Sequence, residues 1–138
     1  MDEISIKKNL SKQKIIALHA QAIYTVYFIG FLPGFLYLGG LDPALNFPRK
    51  QIPRLQIKKG AVGIGGVQTG VYPTQSPGGW NIIGNSPISF FNASNKIPCF
   101  AKAGDKIQFY TISLKKHKEI TALVKAELFQ LESEVLHG

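Results

Sequence analysis

The chain has 138 residues, 45 % apolar and 17 % charged, with 16 Lys and Arg against 8 Asp and Glu for a formal net charge of +8. That length fits one domain with a real core, and that composition excludes a disordered tract, a coiled coil and a long solvated helix. The positive charge does not read as a nucleic-acid signature: only two basic residues are Arg, and lysines gather near the ends (Lys7, Lys8, Lys12, Lys14, Lys115, Lys116, Lys118, Lys125) instead of interleaving with aromatics in one patch.

Ser11 is placed to cap a helix over Lys12 to Ala22, with Ile15, Ile16, Leu18 and His19 on its packed side. Short strands are predicted around Tyr24–Phe31, Leu55–Ile57, Ala61–Ile64, Gln68–Tyr72, Trp80–Gly84, Ile88–Phe91 and Lys106–Ile112, with a Gly104-Asp105 turn before the last. Ile120, Leu123, Val124 and Leu128 recur at helical spacing, which predicts an amphipathic helix from Ser113 to Leu131. Seven short strands with tight turns suggest a barrel or a sandwich. The apolar run from Ile23 to Gly40 is interrupted by Tyr24, Thr25, Pro33, Gly34 and Tyr37 and does not read as a bilayer span. Met1 is followed by acids and lysines, and the single Cys99 has no internal disulfide partner, so the expectation is a cytoplasmic protein without a membrane partner. Cys99 itself reads as a small core hydrophobe.

Turn residues are concentrated. Twelve of the 14 Gly and six of the 8 Pro fall between Gly30 and Gly84, together with both arginines and a single acid, Asp42. Pro33-Gly34 suits a type II turn between Phe31 and Phe35, either a structural corner or a rigid binding wall. Pro48-Arg49 and Pro53-Arg54 put each guanidinium behind a stiffened backbone. They serve structural ion pairs or, since acids are scarce, contacts to an anion or a partner. Gly63-Ile64-Gly65-Gly66 lacks the GxxxxGK[ST] string and the following helix of a phosphate loop, so its glycines are read as sites of close approach by a strand or a ligand. Gln68, Thr69 and Tyr72 add neutral donors and acceptors beside it. Gly78-Gly79 precedes the lone Trp80, which is either core or a pocket floor. His19, beside apolar residues, is either a satisfied structural histidine or a functional one. No metal-binding spacing is present: no CxxC and no HExxH.

In order along the chain, GFLPGFLYLGGLD, PRKQIPR, GAVGIGGVQTGVYP, SPGGW and IIGNSPISFF resemble the KipI family, also known as allophanate hydrolase subunit 1 or the 5-oxoprolinase B subunit, over roughly Ser11 to Ile112. The resemblance implies a mainly β, cyclophilin-like closed β-barrel with an N-terminal and a C-terminal helix. It implies that residues 1–138 form a single domain, a fragment without the family's N-terminal α/β domain. It further implies a B subunit of an ATP-dependent 5-oxoprolinase, hydrolysing 5-oxoproline to glutamate with a partner that resembles the enzyme's C subunit, ATP acting at the level of the complex. Other members imply a KipI-type inhibitor of a sporulation histidine kinase, or a carboxyltransferase component of a urea carboxylase or allophanate hydrolase system.

His19, Gln68, Arg49, Arg54, Thr69 and Tyr72 stand where the family motifs have them. For lactam hydrolysis their chemistry suggests His19, Gln68 and Arg54 for catalysis, Arg49, Arg54, Thr69 and Tyr72 for substrate or anion binding, and Pro33, Gly34, Phe35, Gly78, Gly79 and Trp80 for the pocket. Asn85 stands where relatives often have Arg or Lys. The expectation is that these groups converge on one concave patch, completed by a partner.

Overall fold

Polar caps set the helix limits. Helix α2 (Lys12–Gln21) begins where Ser11 Oγ accepts the Lys14 amide at 3.0 Å, as the sequence predicts. Helix α1 (Asp2–Lys8) precedes it and was not anticipated. It ends on Asn9 in the left-handed region, φ 52°, and buries Ile4 completely, a burial worth about 1.5–3 kcal/mol. Helix α3 (Leu114–Lys125) starts under Ser113, whose hydroxyl accepts the Lys116 amide at 3.1 Å. The computed structural model describes residues 1–29, 35–88 and 103–126, with the side chains of residues 28 and 29 left aside. The end of the predicted last helix, Cys99, Pro33 and Gly34 therefore lie outside the described residues.

The strands are β1 (Tyr24–Ile29), β2 (Leu36–Gly39), β3 (Arg54–Ile57), β4 (Ala61–Gly65), β5 (Gln68–Val71), β6 (Ser76–Gly78), β7 (Asn81–Asn85) and β8 (Lys106–Ile107). Six of them pair antiparallel in the order β7-β4-β5-β2-β1-β8, and β3 pairs with β6 in a separate two-stranded ribbon. The domain is mainly β with helices toward both ends, in the class the sequence predicts. β4 and β5 form a hairpin with Gly65 opposite Gln68. Gly66, at φ +64°, takes the first turn position, which fits a type II′ turn.

β8 is shorter than the predicted Lys106–Ile112 strand, because its pairing ends after Tyr24 and Thr25 of β1. Of the predicted Ile88–Phe91 strand, Ile88 lies in a bend and the rest falls outside the described residues. β2 and β6 were not anticipated.

Side chains alternate across a strand, and that alternation divides the core in two. Val62, Ile64 and Val71 of β4 and β5 join Leu36, Leu38, Tyr24 and Val26 against Ile4 of α1 and Ile15 of α2. On the other face, Ala61 and Tyr72 join Phe35, Trp80 and Ile57 of the ribbon. Among the described residues no helix is long and apolar enough to cross a membrane.

Candidate functional site

The second face is built from rings on glycines. Trp80 meets Phe35 edge-on with ring centroids 5.2 Å apart, and Phe35 meets Tyr72 at 5.1 Å and Tyr37 at 5.0 Å. The indole lies close against β4 and β5 because the residues beneath it have no side chains. A Cβ on Gly65 would overlap the indole. One on Gly70 would stand 2.6 Å from the Leu36 carbonyl oxygen and 3.1 Å from the indole ring. The glycine-rich motif is thus a floor for Trp80, which accounts for its composition without a phosphate.

Burial raises the Tyr72 pKa above the usual phenol value, against the lowering effect of the neighbouring Trp80 backbone and of Arg49. Gly78 passes where a larger residue would collide with the Tyr72 hydroxyl, and Gly79 runs beside the Lys50 carbonyl.

Arg49 is the exposed charge of this face. Its guanidinium carbon lies 6.0 Å from the Trp80 ring centre, within cation–π reach. The backbone segment that carries it is tied down on both sides. Phe47 and Gly66 exchange two backbone hydrogen bonds, of 3.0 and 2.7 Å, and the Lys50 amide donates to the Gly79 carbonyl at 2.7 Å. Gln68, half-buried, has the strand parity of Gly70 and Tyr72 and so shares the face. Arg49, Gln68, Tyr72 and Trp80 therefore do come to one side of the sheet, with Phe35, Gly78 and Gly79.

His19 and Thr69 do not. The expectation of a single patch is corrected here: Thr69 alternates to the helix-covered face and is fully buried there. Its hydroxyl donates to the Gly63 carbonyl at 2.8 Å, so its lone pair must accept from His19 Nε2–H, also at 2.8 Å. That fixes the imidazole as the Nε2–H tautomer. Burial lowers the His19 pKa from 6.5 to about 4, so the ring is neutral at neutral pH. It meets Tyr24 and Phe109 at tilted angles, with ring centres 5.3 and 4.9 Å away, the two aromatic rings themselves touching edge-on at 5.7 Å, and the Tyr24 hydroxyl donates to its carbonyl at 2.7 Å.

Arg54 also parts from Arg49. It lines a polar cleft of about 230 Å³ with Lys50, Asn81 and the first turn of α1. The acids there are engaged, Asp2 by Lys12 and Glu3 by Lys50 and Lys7. A larger cavity of about 540 Å³ runs between α2 and residues 108–111. The aromatic face is packed by its own rings and offers a surface with a charged rim.

One residue escaped sequence reasoning. Asn81 is buried, and its amide bridges Pro48 and Ile64. Only its place beside Trp80 hinted at it. Asn85 donates to the Lys59 carbonyl at 3.1 Å and meets His117 of α3 at 2.8 Å. Asn85 is thus a docking point for α3.

Sheet order, glycine floor and the arginine at its edge make this a mainly β domain with one aromatic, charge-rimmed face. Residues 1–101 match the family model of the carboxyltransferase domain, subdomain C and D. The chain is 42 % identical over 117 residues to the 5-oxoprolinase B subunit of Bacillus subtilis, covering 85 % of this chain and 49 % of that protein. A solved structure of a conserved uncharacterized protein from Pyrococcus horikoshii is 43 % identical, with a TM-score of 0.80, over 84 % of this chain and 54 % of that one. The urea amidolyase of Kluyveromyces lactis superposes on 95 % of this chain and 8 % of its own, with a TM-score of 0.81 at 20 % identity, a likeness of fold alone.

The chain belongs to the carboxyltransferase C and D subdomain family that includes the 5-oxoprolinase B subunits (KipI). It spans about half the length of the 5-oxoprolinase relatives it matches.

Proposed function

We propose that the chain is the part of a 5-oxoprolinase B subunit that presents Arg49 to substrate, in an ATP-dependent complex that opens the lactam of 5-oxoproline to glutamate. The observation that carries this reading is Arg49 set over Trp80 on the ring-packed face, in a chain 42–48 % identical to three 5-oxoprolinase B subunits. Arg49 holds the substrate carboxylate, since a guanidinium forks onto a planar anion. Gln68, on the same face, donates to the lactam carbonyl as charge develops on its oxygen. Phe35, Tyr72 and Trp80 exclude water. His19 and Thr69 act from the other face: a neutral, enclosed imidazole holds β5 in place and does not shuttle protons at the aromatic surface. Arg54 serves the neighbouring cleft.

Because this face is a surface and not an enclosed pocket, its second wall comes from a partner, a protein like the enzyme's C subunit. ATP enters as a co-substrate of the whole complex, in the cytoplasm. The test is co-expression with the candidate C subunit and assay of 5-oxoproline hydrolysis. The complex is expected to turn over and this chain alone to be inert. Turnover by the isolated chain overturns the shared-site reading. The match to the carboxyltransferase family model favours one other reading, in which the same face meets a biotin-carried carboxyl group. Carboxyl transfer without lactam hydrolysis in the same complex would select it.

A further inference from the structure

Arg49 lies in a short segment that has little secondary structure of its own, yet its side chain is held over one ring. Its neighbours explain how. The Lys50 amide is fixed to Gly79. On the other side, Asn81 Nδ2 donates to the Pro48 carbonyl at 2.9 Å and to the Ile64 carbonyl of β4 at 3.2 Å. Both partners are carbonyls and can only accept, so the orientation of the amide group is determined by them. Asn81 thus ties the residue before Arg49 to the central sheet. Its Oδ1 is buried and accepts no hydrogen bond among the described residues. A residue selected for packing alone would not leave a buried acceptor unpaired, because an apolar side chain of that size avoids the desolvation cost.

We infer that Asn81 is the positioning residue of this site: its amide clamps Pro48 to β4 and thereby sets the Arg49 guanidinium over Trp80. This rests on the reading of Arg49 as the anion-binding group. The clamp explains why Arg49 follows a proline. Pro48 stiffens the backbone and has no N–H to divert, so its carbonyl alone receives the clamp. It also separates the two arginines: Arg49 is anchored by Asn81, while Arg54 follows the β3–β6 ribbon.

Trp80 is the single tryptophan of the chain, so its fluorescence reads the Arg49 placement without any ligand. The experiment is a double-mutant cycle on that emission with Arg49→Ala, Asn81→Ala and the double variant. Asn81→Ala is expected to reproduce most of the Arg49→Ala change and to add little in the Arg49→Ala background. Additive changes would mean that Asn81 acts on Trp80 directly, and would overturn the clamp. Asn81→Asp, which keeps the shape and loses both N–H donors, serves as a second variant. If neither Asn81 variant folds, Asn81 is a core residue and the inference fails.

In the assembled complex, KM for 5-oxoproline should rise about tenfold in Asn81→Ala with kcat nearly kept, as expected when uniform binding is lost. If the wild-type complex shows no lactam hydrolysis, the functional reading falls while the fluorescence cycle still decides the clamp.

Discussion

β4 and β5 face two ways, and the two faces are made differently. Toward the helices they offer Val62, Ile64, Thr69 and Val71, branched side chains closed over by α1 and α2. Toward the ribbon, Gly63, Gly65 and Gly70 withdraw so that one indole can lie against the backbone. The helix face holds the buried imidazole, and the ribbon face holds the exposed guanidinium at its edge. One face is arranged to keep water out of a core; the other holds rings rigid beneath a charge. The division teaches that a polar residue in this sheet takes its role from its parity, since a shift of one residue along a strand exchanges the faces.

Several substitutions should separate the faces. The largest effect is expected for Trp80→Ala, which empties the ribbon face and should cost about 3–5 kcal/mol in urea unfolding. A loss below about 1 kcal/mol would mean that the rings do not depend on the indole.

The next concerns the helix face. The unfolded chain binds the His19 proton near 6.5, whereas the native state binds it only near 4. Between those values the unfolded state therefore holds more protons. The contribution is full above pH 6.5 and is lost as the pH falls toward 4, by about 3 kcal/mol in total. His19→Gln keeps an N–H for Thr69 and should flatten that part of the curve. Urea titrations of both proteins at pH 7 and pH 4 check it, and an equal loss of stability in the two would contradict the burial of His19.

Smaller again is Gly70→Val, whose Cβ would press on the Leu36 carbonyl and should cost about 1–3 kcal/mol. Gly84→Ala meets nothing within 4 Å and should stay within about 0.5 kcal/mol by the same measurement.

The sequence made some of this division readable. Ser11 marked α2, and the β-rich block with its arginines, rings and glycines was located correctly as the region of the aromatic face. Other elements had no local signal. α1 buries one residue, Ile4, while Ile6 is 80 % exposed, so no helical apolar stripe exists to be seen. β2 is hidden inside a largely apolar stretch in which no alternation stands out. β6 contains Pro77 and Gly78, which argue against a strand and are tolerated because its ribbon has only two members. Facing was the deeper obstacle. His19 finds Thr69 fifty residues away, and neither residue type nor spacing says that Thr69 turns from Gln68 and Tyr72. The same holds for Asn81, whose two acceptors come from distant segments.

The account stands on the claim that the ribbon face carries function through Arg49, an exposed side chain at its edge on which the packing of neither core depends. The direct measurement is 5-oxoproline turnover of the assembled complex with Arg49→Ala, beside its thermal unfolding. The account predicts a loss in kcat/KM of about tenfold or more with the melting temperature nearly unchanged. Wild-type kcat/KM in the Arg49→Ala complex would contradict it.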